Sequence, residues 1–324
     1  MRRDVLAILS DGQLHSGEAL GLALGVSRMA IWKHIRALRD CGVPLEVVRA
    51  RGYRLQAAVE LLDAGAIQNG LGTAARARLP SVDTFLDIDS TNTWLRQRAL
   101  DGAPSGSVCV AEMQSAGRGR RNRHWVSPFA ASLYLSLLWR TSAAAAELGG
   151  LSLAAGVAVV RSLRTFGIDA AGLKWPNDVL IDGAKLAGIL IDVIGESTGP
   201  CSVIIGIGIN VAMPETAAAE IDQNWIDLRR LTGREVISRN RIASDVLDHM
   251  VAALEEFERS GLQPFLEEWS RHDVIQNRQV SLRLPNEVIQ GRACGIDSGG
   301  ALLVDTPYGR RRFASGEVSL RIAP

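Results

Sequence analysis

The sequence lacks the signatures of a disulfide-bonded, thiolate-metal or membrane-spanning chain. Its four cysteines, at positions 41, 109, 201 and 294, lie far apart and form no C-x-x-C pair, which excludes a closely spaced metal site and a dense disulfide framework. The start, Met1-Arg-Arg-Asp, leads into an amphipathic helix pattern and not into the apolar core of a signal peptide. The most apolar long run, 148–160, is rich in Gly and Ala and too short to cross a bilayer. We therefore expect a soluble, cytoplasmic protein with no membrane contact.

Two well-known phosphate-binding loops are also missing. The P-loop pattern G-x-x-x-x-G-K-[ST] occurs nowhere in the chain. The glycine-containing segment 117–125 is not a dinucleotide fingerprint, because no strand, turn and helix with a downstream acidic residue follows it. The segment 206–210, GIGIN, alternates with period two and has no third glycine in register, which predicts a core strand whose glycines allow close backbone packing.

The length and the charge distribution indicate a small basic head on a larger body. A chain of 324 residues with 47% hydrophobic and 22% charged residues is expected to form two or three globular domains. Residues 1–56 hold nine Arg or Lys and five Asp or Glu, a charge of 9 − 5 = +4. The net charge is +1, so the remainder carries 1 − 4 = −3. This asymmetry is typical of a DNA-binding appendage.

The head, residues 1–62, has the pattern of a winged helix-turn-helix. Ser16 is a candidate N-cap for a helix that ends at Leu24, and Gly25 is suited to a left-handed stop. Ser27 then caps a third helix whose apolar residues follow helical spacing. Two runs, 45–48 and 52–55, predict a hairpin with a basic tip.

We expect the outward face of the third helix to contact DNA, with cations for phosphates and small or aromatic groups for base edges. The candidate residues are Ser27, Arg28, Met29, Trp32, Lys33 and Arg36. A helical bundle with a solvated charged face is the alternative. Helix-turn-helix units usually bind two half-sites as dimers, so the rest of the chain is expected to dimerise.

The body, residues 63–271, mixes strand patterns with helix patterns, which predicts an α/β or α+β domain of about 200 residues. A helix over 61–71 is expected to join head and body. The expected strands are 84–88, 107–112, 133–139 and 203–211, and the expected helices are 92–100, 150–166 and 239–260.

Three polar segments of the body carry unusual chemistry. Residues 89–92, DSTN, lead from a strand into a helix, where they can bind a ligand or act only as an N-cap. Residues 112–125 place four arginines in a glycine-containing loop that suits phosphate or carboxylate oxygens, although such loops also bind nucleic-acid strands. Residues 174–190 predict a hairpin in which Lys174, Asp178 and Lys185 project from adjacent rungs, toward a ligand or simply toward solvent.

The tail, residues 272–324, shows short strand patterns separated by turn signals such as 297–300 and 307–309. The expected strands are 279–284, 288–295, 301–305, 310–314 and 318–322. This rhythm predicts a small β-barrel.

These motifs together resemble the biotin–protein ligase family. The matching stretches, in family order, are DSTN (89–92), Q-x-x-GRGRR-x-R-x-W (114–125), KWPND (174–178), KLAGIL (185–190) and GIGIN (206–210). With the head segment 15–35, the chain resembles the bifunctional form, in which one chain is both ligase and biotin operon repressor. The resemblance covers essentially the whole chain, and it implies an α+β protein: a winged helix-turn-helix, a central catalytic domain of the biotin/lipoate ligase type and an SH3-like tail.

The resemblance implies a two-step reaction and a regulatory role. Biotin is activated by ATP and Mg²⁺ to biotinyl-5′-AMP and then passed to a lysine of the biotin carboxyl carrier protein. The adenylate is also the corepressor of a dimer that binds the biotin operator. Two alternatives stay open: a lipoate-type ligase, and a ligand-sensing transcription factor without ligase activity.

The resemblance also assigns site residues. The biotin pocket is expected to comprise Ser90, Thr91, Asn92, Gln114, Arg118, Gly119, Arg120 and Lys185. The expected catalytic set is Arg118, Arg120, Lys185, Lys174 and Asp178. Within it Arg120 retains the adenylate, Lys185 binds acyl-phosphate oxygens and Asp178 orients the acceptor lysine. No protein-held metal site is expected, and Trp225, in a second loop over 212–225, either packs near the adenine or belongs to the core.

One position departs from the family pattern. Asn122 stands where family members commonly have Gly, inside the arginine loop. Asn is the non-Gly residue that best tolerates positive φ, so the loop is expected to keep its turn with a stiffer backbone.

Overall fold

The computed structural model describes residues 1–195, 199–234, 237–284, 287–314 and 319–322. The head contains three helices and a hairpin: α1 Arg2–Leu9, α2 Gly17–Leu24, α3 Arg28–Asp40, β1 Leu45–Val48 and β2 Gly52–Leu55.

The head is a winged helix-turn-helix, as predicted. The Ser16 hydroxyl accepts a hydrogen bond from the Ala19 amide at 3.0 Å, and Ser27 caps α3 in the same way. Gly25 ends α2 at φ 66°, a conformation that favours glycine. β1 and β2 pair antiparallel and form the wing. The Ser16 and Ser27 caps therefore fix where α2 and α3 begin.

The segment that joins head and body corrects the expected helix over 61–71. Leu61 and Leu62 lie outside the helix, which runs only from Ala64 to Gly70. The Asp63 carboxylate accepts a hydrogen bond from the Ala66 amide, so the helix begins after Asp63. The backbone before the helix bonds to another part of the body: the Leu62 amide donates to Glu112 Oε1 at 2.6 Å.

The body is built on a seven-stranded mixed sheet with helices on both faces. The strands in chain order are β3 Ser81–Ile88, β4 Ser107–Gln114, β5 Ser132–Thr141, β6 Gly172–Lys174, β7 Asp178–Ile181, β8 Ala184–Ile194 and β9 Cys201–Asn210. The helices are α4 Ala64–Gly70, α5 Thr73–Arg78, α6 Thr91–Leu100, α7 Leu151–Thr165, α8 Glu215–Ala218, α9 Leu228–Thr232, α10 Arg239–Ser260 and α11 Leu266–His272. The sheet order is β3-β4-β5-β9-β8-β7-β6; β3 and β4 are parallel and all other pairs are antiparallel.

The tail adds a five-stranded antiparallel sheet. Its strands are β10 Gln279–Arg283, β11 Val288–Ile296, β12 Leu302–Thr306, β13 Gly309–Phe313 and β14 Ser319–Ile322, in the order β13-β12-β11-β10-β14. The buried residues of this sheet belong to the same apolar cluster as α7 and α10. The tail is therefore packed onto the body through a continuous core, and the domain limits at 62 and 271 stay predictions.

The head lies against the body beside the arginine loop. Met113, at the end of β4, and Phe129, which follows the loop, are buried in the apolar cluster of the head. Arg3 donates to the Thr84 hydroxyl at 2.9 Å and to the Leu62 carbonyl, and Arg2 lies 3.4 Å from Asp87. These contacts join α1 to β3 and to the connecting segment. No helix among the described residues is long and apolar enough to cross a membrane.

Candidate functional site

A cleft of about 860 Å³ lies beside the N-terminal end of α6, between the arginine loop and the tail sheet. All ten residues expected in the biotin pocket or the catalytic set line it: Ser90, Thr91, Asn92, Gln114, Arg118, Gly119, Arg120, Lys174, Asp178 and Lys185. These residues come from four separate stretches of sequence, and folding brings them to one place.

The floor of the cleft is a set of buried polar groups that bond to one another. Ser90 is the N-cap of α6, and Thr91 follows it into the cleft. The Thr91 amide donates to Gln114 Oε1 at 2.9 Å, and the Ser136 hydroxyl donates to Asn92 Oδ1 at 2.6 Å. The DSTN segment is thus both a cap and part of the cleft wall. Such pre-bonded groups keep fixed directions toward a ligand.

The arginine loop is an ordered turn held by its own backbone. The Gly119 amide donates to the Arg123 carbonyl at 2.7 Å, and the Trp125 amide donates to the Gly117 carbonyl at 2.9 Å. A Cβ at Gly117 would meet the Trp125 carbonyl at 2.3 Å, so this position requires glycine. Asn122 has φ 56°, as its tolerance of left-handed backbone predicts, and Arg121 unexpectedly has φ 56° as well.

Arg118 and Arg120 both line the cleft; Arg118 is held by a group on β8, and Arg120 by a group in the turn between β6 and β7. Arg118 Nη1 lies 2.9 Å from Asp192 Oδ2, and Arg120 Nη1 donates to Asn177 Oδ1 at 3.3 Å. Burial lowers the pKa of Arg120, and the nearby Asp178 carboxylate opposes that change. The guanidinium stays protonated because arginine does not lose its proton in proteins. The loop therefore supplies permanent positive charge to the cleft.

The predicted hairpin is present and places Lys185 and Asp178 in contact. Lys174 is the cross-strand partner of Asp178, and the turn at Asp182-Gly183 leads into β8. Lys185 Nζ lies 2.8 Å from Asp178 Oδ1, and both side chains are largely buried. The same ammonium lies 5.0 Å from the centre of the Trp125 ring. A carboxylate and an aromatic face thus hold one ammonium at the cleft wall.

The second loop closes the other side of the cleft. The Lys185 amide donates to the Asn224 carbonyl at 2.9 Å, and the Ile226 amide donates to the Lys185 carbonyl at 3.0 Å. Trp225 is half-buried, lines the cleft and has the Arg230 guanidinium 4.3 Å from its ring centre. This position favours the ligand-facing alternative for Trp225 over the core alternative.

Three residues that hold the candidate site together are not among those expected from the sequence. Asn177 binds Arg120, Asp192 binds Arg118, and Ser136 binds both Thr91 and Asn92. Asn177 lies inside KWPND, and Asp192 is the one charged residue in the run ILIDVI. A charge in an apolar strand is a signal for a partnered, functional side chain.

The face of α3 expected to contact DNA is open to solvent. Each of the six candidate residues from Ser27 to Arg36 is exposed, and Met29 and Trp32 keep 63% and 46% of their surface accessible. The Arg36 guanidinium lies 5.7 Å from the Trp32 ring centre. Exposed apolar side chains among cations are typical of a surface that contacts base edges in a DNA groove.

Comparisons with known proteins agree with this geometry. Residues 85–210 match the biotin/lipoate A/B protein ligase family, residues 2–54 match an HTH domain, and residues 276–321 match the biotin protein ligase C terminal domain. Two proteins named "Bifunctional ligase/repressor BirA", from Salmonella typhimurium and Escherichia coli, are each 42% identical over 319 residues, covering 98% of this chain and 97% of the relative. A solved biotin protein ligase from Aquifex aeolicus, in complex with biotin and ATP, is 29% identical with a TM-score of 0.64 and covers 75% of this chain and 99% of that chain. The chain therefore belongs to the biotin/lipoate A/B protein ligase family, on its bifunctional ligase/repressor branch.

Proposed function

We propose that the protein attaches biotin to a carrier protein and represses transcription with the reaction intermediate as corepressor. One observation carries the enzymatic part: Arg118, Arg120, Lys174 and Lys185 line a single cleft large enough for a biotinyl nucleotide. Two anions, the biotin carboxylate and the ATP α-phosphate, must meet there, and fixed cations offset their repulsion.

In the first step a carboxylate oxygen of biotin attacks the α-phosphorus of ATP, and pyrophosphate leaves. Lys185 and Arg120, which both line the cleft, stabilise the charge on the acyl-phosphate oxygens in this proposal. In the second step the acceptor lysine amine attacks the acyl carbon, AMP leaves, and the amine loses a proton. We assign the orientation of that amine to Asp178. Neither step needs a covalent enzyme intermediate, so positioning and electrostatics supply the catalysis. Mg²⁺ enters as part of the MgATP substrate.

The acceptor in this proposal is the biotin carboxyl carrier protein, and the compartment is the cytoplasm. The four cysteines are free thiols, which suits a reducing compartment. Incubation with ATP, Mg²⁺ and labelled biotin, with and without a carrier domain, tests the activity. Biotinyl-5′-AMP without the carrier, and labelled carrier with it, are the expected results. Labelling from lipoate alone would instead support a lipoate-type ligase, and no adenylate would leave a ligand-sensing regulator.

The repressor part of the proposal requires a dimer. β7 pairs only with the first residues of β8, so among the described residues no strand covers the other edge of 190–194, where Val193 is 37% exposed. A second copy can extend the sheet at such an edge.

The expected link between ligand and DNA binding is the dimer. A ligand that stabilises the dimer raises its affinity for DNA in proportion, so biotin with ATP should strengthen footprints on the biotin operator.

The Arg36 side chain gives a direct test of the DNA-binding face. Replacing Arg36 by Ala should weaken operator binding and reduce the slope of log affinity against log salt concentration by about one, because one phosphate contact is lost. The exposed Arg271, on α11, provides a control substitution to Ala outside the head. Equal slopes for both variants would contradict a phosphate contact at Arg36.

Asn122 gives a test of loop stiffness. Replacing Asn122 by Gly should leave adenylate formation intact but speed adenylate escape, because glycine frees a backbone now held at φ 56°. Release of labelled biotinyl-5′-AMP into a chase of unlabelled ligand measures that rate. Asn277, with φ 62° outside the loop, is the matched position for a control change to Gly. Equal escape rates in all three proteins would show that Asn122 does not stiffen the loop.

A further inference from the structure

Asp192 is a charged residue of β8 that touches two expected ligand-binding side chains without being one of them. We propose that Asp192 is the positioning residue for Arg118, which it fixes over the cleft before the ligand binds. The proposal rests on the proposed biotin-activating function and adds a residue to it.

The Asp192 carboxylate connects the arginine loop to the cleft floor through one oxygen. Its Oδ2 atom accepts from Arg118 Nη1 at 2.9 Å and from Asn92 Nδ2 at 3.2 Å. Asp192 is the buried partner, with 16% of its side chain exposed against 41% for Arg118. The orientation of Arg118 is therefore set from the sheet side.

The floor end of this connection is rigid. Asn92 is buried, and its Oδ1 atom accepts from the buried Ser136 hydroxyl of β5 at 2.6 Å. A Cβ at Gly206 would meet Asn92 Oδ1 at 2.2 Å, so the β9 backbone packs directly against the amide. Asn92 is therefore held in place, and its hydrogen bond fixes the position of the Asp192 carboxylate.

Another side-chain anchor joins the stem of the loop to the same floor. Gln114 Nε2 donates to the Ser127 hydroxyl at 3.0 Å, and that hydroxyl donates to the Trp125 carbonyl at 2.8 Å. This anchor lies at the base of the loop, whereas Asp192 acts on the residue that faces the ligand. Loss of Asp192 should therefore leave the stem in place and release the Arg118 side chain.

The ion pair leaves Arg118 able to bind a ligand. A guanidinium has five N–H donors in a fixed planar fork, and Asp192 uses one nitrogen. Holding the fork in advance reduces the side-chain entropy that binding must otherwise remove. We therefore expect Asp192 to affect the affinity for ligand more than the rate at which the bound complex reacts.

The test compares Asp192→Asn with Asp192→Glu in the full-length protein. For Asp192→Asn we expect the biotin KM to rise about tenfold and adenylate escape to quicken by a similar factor, as loss of a charge-assisted hydrogen bond implies. The kcat of adenylate formation should change less than about threefold, and Asp192→Glu, which keeps the charge, should recover most of the loss. Glu268→Gln, which breaks a comparably buried Arg161 pair outside the site, is the matched control.

Hydrogen exchange provides a readout that does not depend on turnover. Without ligand, the Gly119 amide, which is bonded inside the loop to the Arg123 carbonyl, should exchange faster in Asp192→Asn than in the wild type or Glu268→Gln, whereas the Trp125 amide of the stem should exchange at the same rate. Unchanged exchange together with an unchanged KM in Asp192→Asn would overturn the positioning role. Absence of adenylate from the wild type would instead overturn the proposed function, and the exchange comparison would still decide the role of Asp192.

Discussion

Replacing Lys185 by Met is expected to slow adenylate formation by about 100- to 1,000-fold, the usual effect of removing one charge-stabilising donor from an active site. Lys185 is held at the cleft wall by Asp178 at 2.8 Å and by the Trp125 ring. Methionine keeps much of the length and the apolar contact with Trp125, so the change removes mainly the positive charge. The loss should therefore appear in the chemical step more than in folding.

Single-turnover formation of labelled biotinyl-5′-AMP measures this effect. Arg271→Gln removes a cation of comparable size from the surface of α11 and should leave the rate near that of the wild type. The thermal unfolding temperature of the Lys185→Met protein should also be measured, because Asp178 loses its partner and the fold itself can lose stability. A rate within about threefold of the wild type would contradict the role that we give to Lys185.

Replacing Glu112 by Gln is expected to lower the free energy of unfolding by about 3–5 kcal/mol, because it leaves a buried arginine without its counter-charge. Glu112 and Arg239 are 2% and 3% exposed, and their closest atoms lie 2.6 Å apart. Arg239 also donates to the Glu60 carbonyl, and Glu112 accepts from the Leu62 amide. The pair therefore ties the connecting segment, β4 and α10 together.

Urea denaturation, followed by tryptophan fluorescence, measures the loss. Glu46→Gln breaks an exposed pair with Arg54 in the wing and should leave the free energy of unfolding nearly unchanged, because exposed ion pairs contribute little to stability. A cycle with Arg239→Met adds a second test: the double variant should be more stable than the sum of the single losses predicts, since no unpaired charge stays buried. Additive losses would contradict a coupled buried pair.

The local features of this protein were predictable because their causes lie within a few residues. The Ser16 and Ser27 caps, the left-handed Gly25 and the hairpin turn at 182–183 all act over a single turn, and the structure has each of them. The ten expected site residues were found through ordered motifs, and all ten line one cleft. The helix expected over 61–71 was wrong at its start because Glu112, 50 residues away, takes the Leu62 amide.

Most elements, the basic head, the arginine loop and the lysine–aspartate hairpin could be predicted from the sequence, since these follow from spacing, capping and charge along the chain. The pairing of distant charges, by contrast, depends on how the chain folds. Arg118 and Asp192 are 74 residues apart, and Glu112 and Arg239 are 127 apart. Such pairs form only when the strands take their final order and α10 packs on the sheet. Both depend on the free energy of the whole fold, so a pattern within a short stretch of sequence cannot specify them.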